Sequence, residues 1–465
     1  MLPTLAAVLL LIAAASRSAV AQATARPSEA PVAAITLAAV LDSAVRSYPA
    51  LASADARVRA ARGTRATAGA LGNPMLAYQV ENTPFPGGSP TGMDREAMTT
   101  ATVPLAMLYQ RPARVRQADA AVRAAVAGAR STRQQVTLDA ARAYYRTALA
   151  QVSGDAADNL AQWLDSVVAY NQTRVSQGVA AEADLIRSQL ERDRAVADAG
   201  IAAADLARAR AELSAYLGDP AAFGEIAVAL DDVPLTMPSS STTEARSPGA
   251  SGTALAARPS ESPDATSISG RPDVQAARER LASAGAGTAL EQSMIIRELG
   301  ATVGVKQTAG TSSMIAGLSL PLPLFDQNRG ELARARAERD AAAFDLATQE
   351  RAARAEVIGA ERAARAITER TRPLAVRDSA TGRPTFLARA DEARTIALGA
   401  YREGAVPLLQ VLDAARAWGE ARVAFYRALY AQHEAVLALV VARGDDIQSV
   451  LPTLTSTPVR GAPAR

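Results

Sequence analysis

The sequence predicts a helix-dominated α+β chain built from one unit used twice, each copy running helix, β-hairpin, very long helix, turn and long helix. Three observations predict it. Short landmarks recur in the same order about 220 residues apart, two segments alternate apolar with small or polar residues, and Ala-rich stretches run for tens of residues with few helix breakers. The repeat is visible by eye. Pro49-Ala50-Leu51-Ala52-Ser53-Ala54 lies over Pro272-Asp273-Val274-Gln275-Ala276-Ala277, 223 positions later, and Val103-Pro104-Leu105 through Gln110 lies over Leu320-Pro321-Leu322 through Gln327, 217 later. Gly178 and Gly218 lie over Gly404 and Gly444, both 226 later. The changing offset puts a longer loop around Thr83 to Arg95 in the first copy and extra residues near Pro373 to Pro384 in the second.

Residues 1–21 read as an export signal: an apolar run from Leu5 to Ala15, then Ala19-Val20-Ala21 ahead of Gln22. About eleven apolar residues are too few to span roughly 30 Å of hydrocarbon. No basic residue precedes the run, the first being Arg17. The first repeat is placed at 36–235, with a hairpin over about 76–103 and long helices over about 112–218. Between Ala113 and Gln177 only Gly128 and Gly154 interrupt the helical pattern. One continuous helix there would reach roughly 100 Å, longer than a compact domain uses. Residues 236–270, rich in Ser, Pro, Thr and Gly, read as a flexible linker.

The second repeat is placed at 271–447 and shows the hairpin best, over about 299–320. Leu299, Ala301, Val303 and Val305 alternate with Gly300, Thr302, Gly304 and Lys306, and Met314, Ala316, Leu318 and Leu320 alternate with Ile315, Gly317 and Ser319. Two one-sided strands are marginal alone, so the hairpins need partners. Helices follow over about 329–444, and residues 448–465 read as a disordered tail. Apolar residues at three- and four-residue steps, as in Leu429/Tyr430, His433, Leu437 and Val440/Val441, make the helices pack side by side.

Composition excludes several functions. The 465 residues include no Cys, which removes disulfide scaffolds, Cys-ligated zinc, iron–sulfur clusters, thiol catalysis and an N-terminal lipid-modified cysteine. Fifty basic residues against 47 acidic ones give no nucleic-acid signal, and every basic residue except Lys306 is Arg. A phosphate loop, metal-ligand spacing and a nucleophile elbow are all missing from the sequence, which argues against an enzyme and against a bound cofactor. Beyond residue 15 no apolar run approaches the roughly 18 residues of a membrane helix, so entry into a membrane would have to use strands.

The landmarks also carry a family resemblance. Leu41-Asp42-Ser43-Ala44 through Tyr48-Pro49-Ala50-Leu51, Gly72-Asn73-Pro74 before the first strand, Pro321-Leu322-Pro323-Leu324-Phe325-Asp326-Gln327-Asn328-Arg329-Gly330 after the last, and Ala400-Tyr401-Arg402-Glu403-Gly404 followed by Val411-Leu412-Asp413-Ala414 occur in this order inside the duplicated frame. The sequence resembles the TolC-like outer-membrane efflux protein family, in the branch serving heavy-metal-type resistance-nodulation-division pumps. The resemblance implies a homotrimer whose protomers each give four strands to a twelve-stranded barrel in outer-membrane lipid and their helices to a periplasmic α-helical barrel. It also implies a periplasmic adaptor and an inner-membrane pump as partners, with metal ions or small toxic compounds as cargo. Type I protein secretion and a soluble periplasmic coiled-coil scaffold are the alternatives.

In this family the periplasmic tip closes near the helical turns. Carried over by motif, Gly178 and Gly404 are the turn tips, and the gate candidates are Asp184, Gln410 and Asp413 past the glycines and Tyr401 before the second. A ring of three Asp413 side chains would attract cations, while Gln410 stands where the family prototype has a first acidic ring. Asp184 and Asp413 equally suit solvated helix-surface charges. His433, the single histidine, sits on an apolar stripe and reads as a packed residue rather than a metal ligand. Met75, Met98, Met294 and Met314 read as lipid-facing or loop residues rather than a soft-metal site. Tyr109 and Phe325 suit either an interfacial aromatic girdle or junction packing, and Pro321 and Pro323 are expected to end the strand and start the helix.

Overall fold

The computed structural model describes residues 34–83, 88, 92, 94–218, 227–230, 233–238, 268–296 and 298–455. The expected export signal and most of the expected linker lie outside them. The first repeat opens with α1 (Leu37–Ser47), whose N-terminus is capped by the Thr36 hydroxyl accepting from the Ala39 N–H, and α2 (Pro49–Gly69), with proline at its first position. Strands β1 (Met75–Glu81) and β2 (Glu96–Pro104) follow, then α3 (Ala106–Ser176) and α4 (Glu182–Ser214). The second repeat runs α5 (Pro272–Ser293), β3 (Gly300–Thr308), β4 (Thr311–Ser319), α6 (Arg329–Thr371), α7 (Thr385–Arg402) and α8 (Leu408–Ala442), and α9 (Ile447–Thr455) closes the described chain.

At 71 residues, α3 spans about 105 Å. It begins before the expected 112, because Pro112 falls in the second turn and forfeits only the bond to the Leu108 carbonyl. Two further expectations need correction. Of the tail expected to be disordered over 448–465, residues 448–455 instead belong to α9, which buries Ile447 and Leu454, and residues 456–465 lie outside the described residues. Nor do Pro321 and Pro323 start a helix. The strand ends at Ser319, and α6 begins only after Asn328, which takes a left-handed φ of 57° while its side-chain amide donates to the Glu291 carbonyl and carboxylate.

The four strands form one antiparallel sheet in the order β1-β2-β3-β4, so the two repeats meet along β2 and β3. Ala309 and Gly310, both at positive φ, make the two-residue turn between β3 and β4, whereas 14 residues separate β1 from β2. Directly opposed residues share a face. One face carries Leu76, Tyr78, Val80, Ala97, Ala101, Val103, Val303, Val305, Met314, Ala316 and Leu318; the other carries Gln79, Glu81, Glu96, Thr100, Thr102, Thr302, Lys306, Thr308 and Ser313. Thr102 and Thr302 share a hydrogen bond of 2.9 Å on the polar face. Met314 stands on the apolar face, and Met75 and Met98 stand on the polar one. Among the described residues no helix is long and apolar enough to cross a membrane.

The main core lies midway along the rod. Val136, Tyr144, Tyr145 and Val152 of α3 pack with Phe425, Leu429, Val436, Leu437 and Val440 of α8, joined by Val40 and Leu41 of α1 and Leu213 of α4. A buried amide and imidazole tie the passing chain to this core. The Gln432 amide accepts from the Leu235 N–H (3.1 Å) and donates to the Leu235 carbonyl (2.6 Å). His433 Nε2–H donates to the Val233 carbonyl at 2.9 Å, and its ring meets the edge of Tyr145. Arg271, almost fully buried, donates to the Ala442 carbonyl at 2.6 Å and pairs with Asp273 and Glu356, joining the start of α5 to α8 and α6. Each charge in that cluster has a partner, as burial demands.

Candidate functional site

The two turns that join α3 to α4 and α7 to α8 lie together at the end of the rod farthest from the sheet. Each is built the same way. Gly178 (φ 70°) donates to the Val175 carbonyl while the Val179 N–H reaches the Arg174 carbonyl; Gly404 (φ 77°) donates to the Tyr401 carbonyl while the Ala405 N–H reaches the Ala400 carbonyl. These paired bonds close a helix C-terminus on a left-handed residue, a position suited to glycine. Gly218 and Gly444, the other members of the repeat, are also left-handed, at φ 81° and 91°.

Tyr401 is the centre of the tip. It is 5% exposed, and its hydroxyl donates to Asn171 Oδ1 of α3 at 2.5 Å. Its ring meets Tyr170 edge-on at 5.8 Å, and the Arg174 guanidinium lies 5.5 Å from the Tyr401 centroid and 5.6 Å from that of Tyr170. Burial pushes the Tyr401 phenol above its ordinary pKa, with Arg174 opposing and the Asp184 charge reinforcing that rise. Behind it, Leu164 and Val167 of α3, Ala195 of α4 and Leu408, Val411 and Leu412 of α8 form a second apolar cluster.

The remaining candidates fall on both sides of this cluster. Asp184 is half-buried in the first turn of α4, where its charge suits the helix N-terminus. Gln410 and Asp413 are exposed on α8. Asp413 is 3.7 Å from Arg416, and Arg416 in turn pairs with Glu191 of α4, spanning the gap between the two helices. That gap is a groove of about 540 Å³, lined by Leu160 and Leu164 on one side and Leu412 and Val423 on the other. The structure thus brings Tyr401 and Asp184 into one electrostatic neighbourhood and gives Asp413 a cation neighbour. Sequence reasoning missed Asn171, Arg174, Arg416 and Glu191. Only Arg416 leaves a local signal, three residues after Asp413 on one helix face.

Among the described residues no group of three or more His, Cys, Asp or Glu side chains is arranged to hold a metal ion. At the opposite end of the rod, Tyr109 is in the first turn of α3 and its hydroxyl donates to the Ile296 carbonyl, while Phe325 is fully exposed beyond β4.

Several solved structures share this fold. The outer membrane protein VceC of Vibrio cholerae is 19% identical with a TM-score of 0.67, over 88% of this chain and 96% of that one. The CmeC outer membrane channel of Campylobacter jejuni is 14% identical with a TM-score of 0.69, over 90% and 89%. The MtrE outer membrane channel of Neisseria gonorrhoeae in its open state is 19% identical with a TM-score of 0.65, over 88% and 89%. No curated protein matches the chain. The profile of outer membrane efflux proteins matches residues 40–219 and 266–445, two blocks of equal length set apart by the same 226 residues as the paired glycines. With most of its length inside those two blocks, the chain belongs to the outer membrane efflux protein family.

Proposed function

We propose that three copies of the chain form a passive exit duct, closing their sheets into one twelve-stranded barrel in the outer membrane and their helices into a periplasmic tube. One observation carries this reading: a four-stranded sheet with an apolar face, a polar face and two open edges, β1 and β4, continuous with a helix, α3, of about 105 Å. In lipid an open edge leaves backbone groups unsatisfied, and closure against neighbouring copies removes it. Nine-residue strands at about 3.3 Å per residue reach about 30 Å, enough for a barrel wall. The apolar face then meets lipid and the polar face lines the lumen, with exposed Phe325 near the interface. An inner-membrane pump, acting through a periplasmic adaptor, supplies metal ions or small toxic compounds.

The tip serves as the gate in this reading. Tyr401 holds α7 to α3 through Asn171 and Arg174, and Arg416 ties α8 to α4 through Glu191. Asp413 contributes one carboxylate per protomer to the constriction, partly balanced by Arg416. The duct is tested by cell fractionation and by the oligomeric state in mild detergent: recovery in the outer membrane as a trimer supports it, and a soluble periplasmic monomer sinks it. In planar bilayers, Asp413→Ala should raise single-channel conductance or lower cation selectivity. Tyr401→Phe, which keeps the ring and loses the hydroxyl, should raise conductance alone. If Asp413→Ala changes neither property, Asp413 is a surface charge.

A further inference from the structure

Lys306 is the single lysine among 50 basic residues, and it occupies a singular place. The four strands contain only three charged residues, Glu81, Glu96 and Lys306. All three stand on the polar face in the two outermost rungs, where Gln79, Met98, Lys306 and Ser313 lie abreast and Glu81, Glu96, Thr308 and Thr311 form the next row. The Lys306 ammonium pairs with the Glu96 carboxylate, which also accepts from the Thr308 hydroxyl at 3.2 Å, while Gln79 donates to Glu81 at 2.9 Å.

We propose that Lys306 sets the charge, and with it the ion selectivity, of the outer mouth of the barrel. The inference rests on the duct reading, because only a closed barrel turns one lysine per protomer into a ring of three. Charged rings at a pore constriction or mouth select ions by sign. At this end of each protomer Glu81, Asp94 and Glu96 face Arg95 and Lys306, a net charge of −1, and replacing Lys306 by an uncharged residue makes it −2. The β3–β4 turn, Ala309-Gly310, adds no charge, and the loop between β1 and β2 adds none beyond Asp94 and Arg95. Deeper along the strands the polar face offers only hydroxyls and small or apolar groups. The mouth is therefore the one level of the barrel wall where a fixed charge can sort solutes. By offsetting Glu96, the ammonium keeps the exit passable to anionic as well as cationic cargo.

The test is the reversal potential of the full-length protein in planar bilayers under a KCl gradient. Lys306→Met is expected to raise the potassium-to-chloride permeability ratio about threefold, the change produced by roughly half a kT of more negative mouth potential, because cation and anion respond in opposite directions. Lys306→Glu should raise it further, Glu96→Gln should lower it, and Lys306→Arg should leave it unchanged. These shifts should shrink in 1 M salt, where charges are screened beyond about 3 Å. The same variants in an Asp413→Asn background remove the contribution of the tip, and the exchanged pair K306E/E96K, which restores the wild-type ratio, carries the test if Lys306→Met fails to assemble. A ratio unmoved by Lys306→Glu and Glu96→Gln in both backgrounds, in a protein that conducts, overturns the inference and leaves the pair as a strand staple. A wild-type protein that inserts and does not conduct overturns the duct reading and this inference with it.

Discussion

The long helix of the first repeat and its counterpart in the second hold matching places in the duplicated frame and differ in continuity. In the first repeat α3 runs unbroken from the sheet to the tip, and the main core grips its middle through Val136, Tyr144, Tyr145 and Val152. In the second repeat the chain breaks between Thr371 and Thr385, and α6 buries mostly small residues: Ala335, Ala353, Val357, Ala364 and Thr371. The break is an ordered structure. Asp378 Oδ1 accepts from the backbone N–H groups of Ala380 (2.8 Å) and Thr381 (2.9 Å), and Arg377 bridges to Pro384. The first repeat thus reaches the tip in one helix held at its centre, whereas the second reaches it through a separate 18-residue helix beyond an ordered turn. The jointed segment is α7, which ends in Tyr401.

Truncation gives the largest effect expected from this difference. Tyr145→Ala, in the gripped part of α3, should cost about 3–5 kcal/mol by loss of a buried aromatic, while Val357→Ala on α6 should cost about 1–2 kcal/mol for two methylene equivalents. Urea unfolding in detergent measures both, and equal losses would erase the distinction between a gripped and a lightly held helix. Next come the left-handed glycines. An alanine at Gly178 or Gly404 finds open space and suffers only the backbone penalty of about 1–2 kcal/mol. At Gly218 the added Cβ would lie 2.7 Å from the Ser47 hydroxyl, so Gly218→Ala should destabilise more than Gly178→Ala in the same assay.

The smallest effect is a pH response confined to the joint. Backbone N–H groups of Thr381 and Ala380 hold the Asp378 carboxyl below its ordinary pKa. A depressed folded-state value stabilises the turn above the unfolded value, about 3.9, and that stabilisation is lost as pH falls through the folded one. Hydrogen exchange at residues 376–385 should therefore stay slow at pH 6 and accelerate below about pH 4 relative to intrinsic rates, with the centre of α3 unaffected. Asp378→Ala, which removes the acceptor of both bonds, should show fast exchange at both pH values.

The elements of the frame were legible because their signals are local. Period-two alternation marks β3 and β4, and four glycines at matched spacing turn out to be the left-handed residues that end the helices. The tip contacts were illegible for the opposite reason. Tyr401 meets Asn171 across 230 residues, and a lone polar residue on a helix announces no partner. Gln432 is equally silent: on an apolar stripe it reads as an interruption until Leu235 arrives to take both ends of its amide. Length and Pro452 disguised α9, which is stabilised by burying Ile447 and Leu454 rather than by propensity.

The unequal turns of the sheet have a consequence for what lies outside the cell. In the trimeric barrel proposed above, three 14-residue connections between β1 and β2 would alternate with three two-residue Ala309-Gly310 turns. By length alone the first repeat would then supply most of the chain at the exposed end, and an antibody or a phage would meet that connection first. Such a loop could drift under outside pressure with little effect on the wall or the tip. In that barrel the duplicated chain would give one copy a public surface and leave the other almost none.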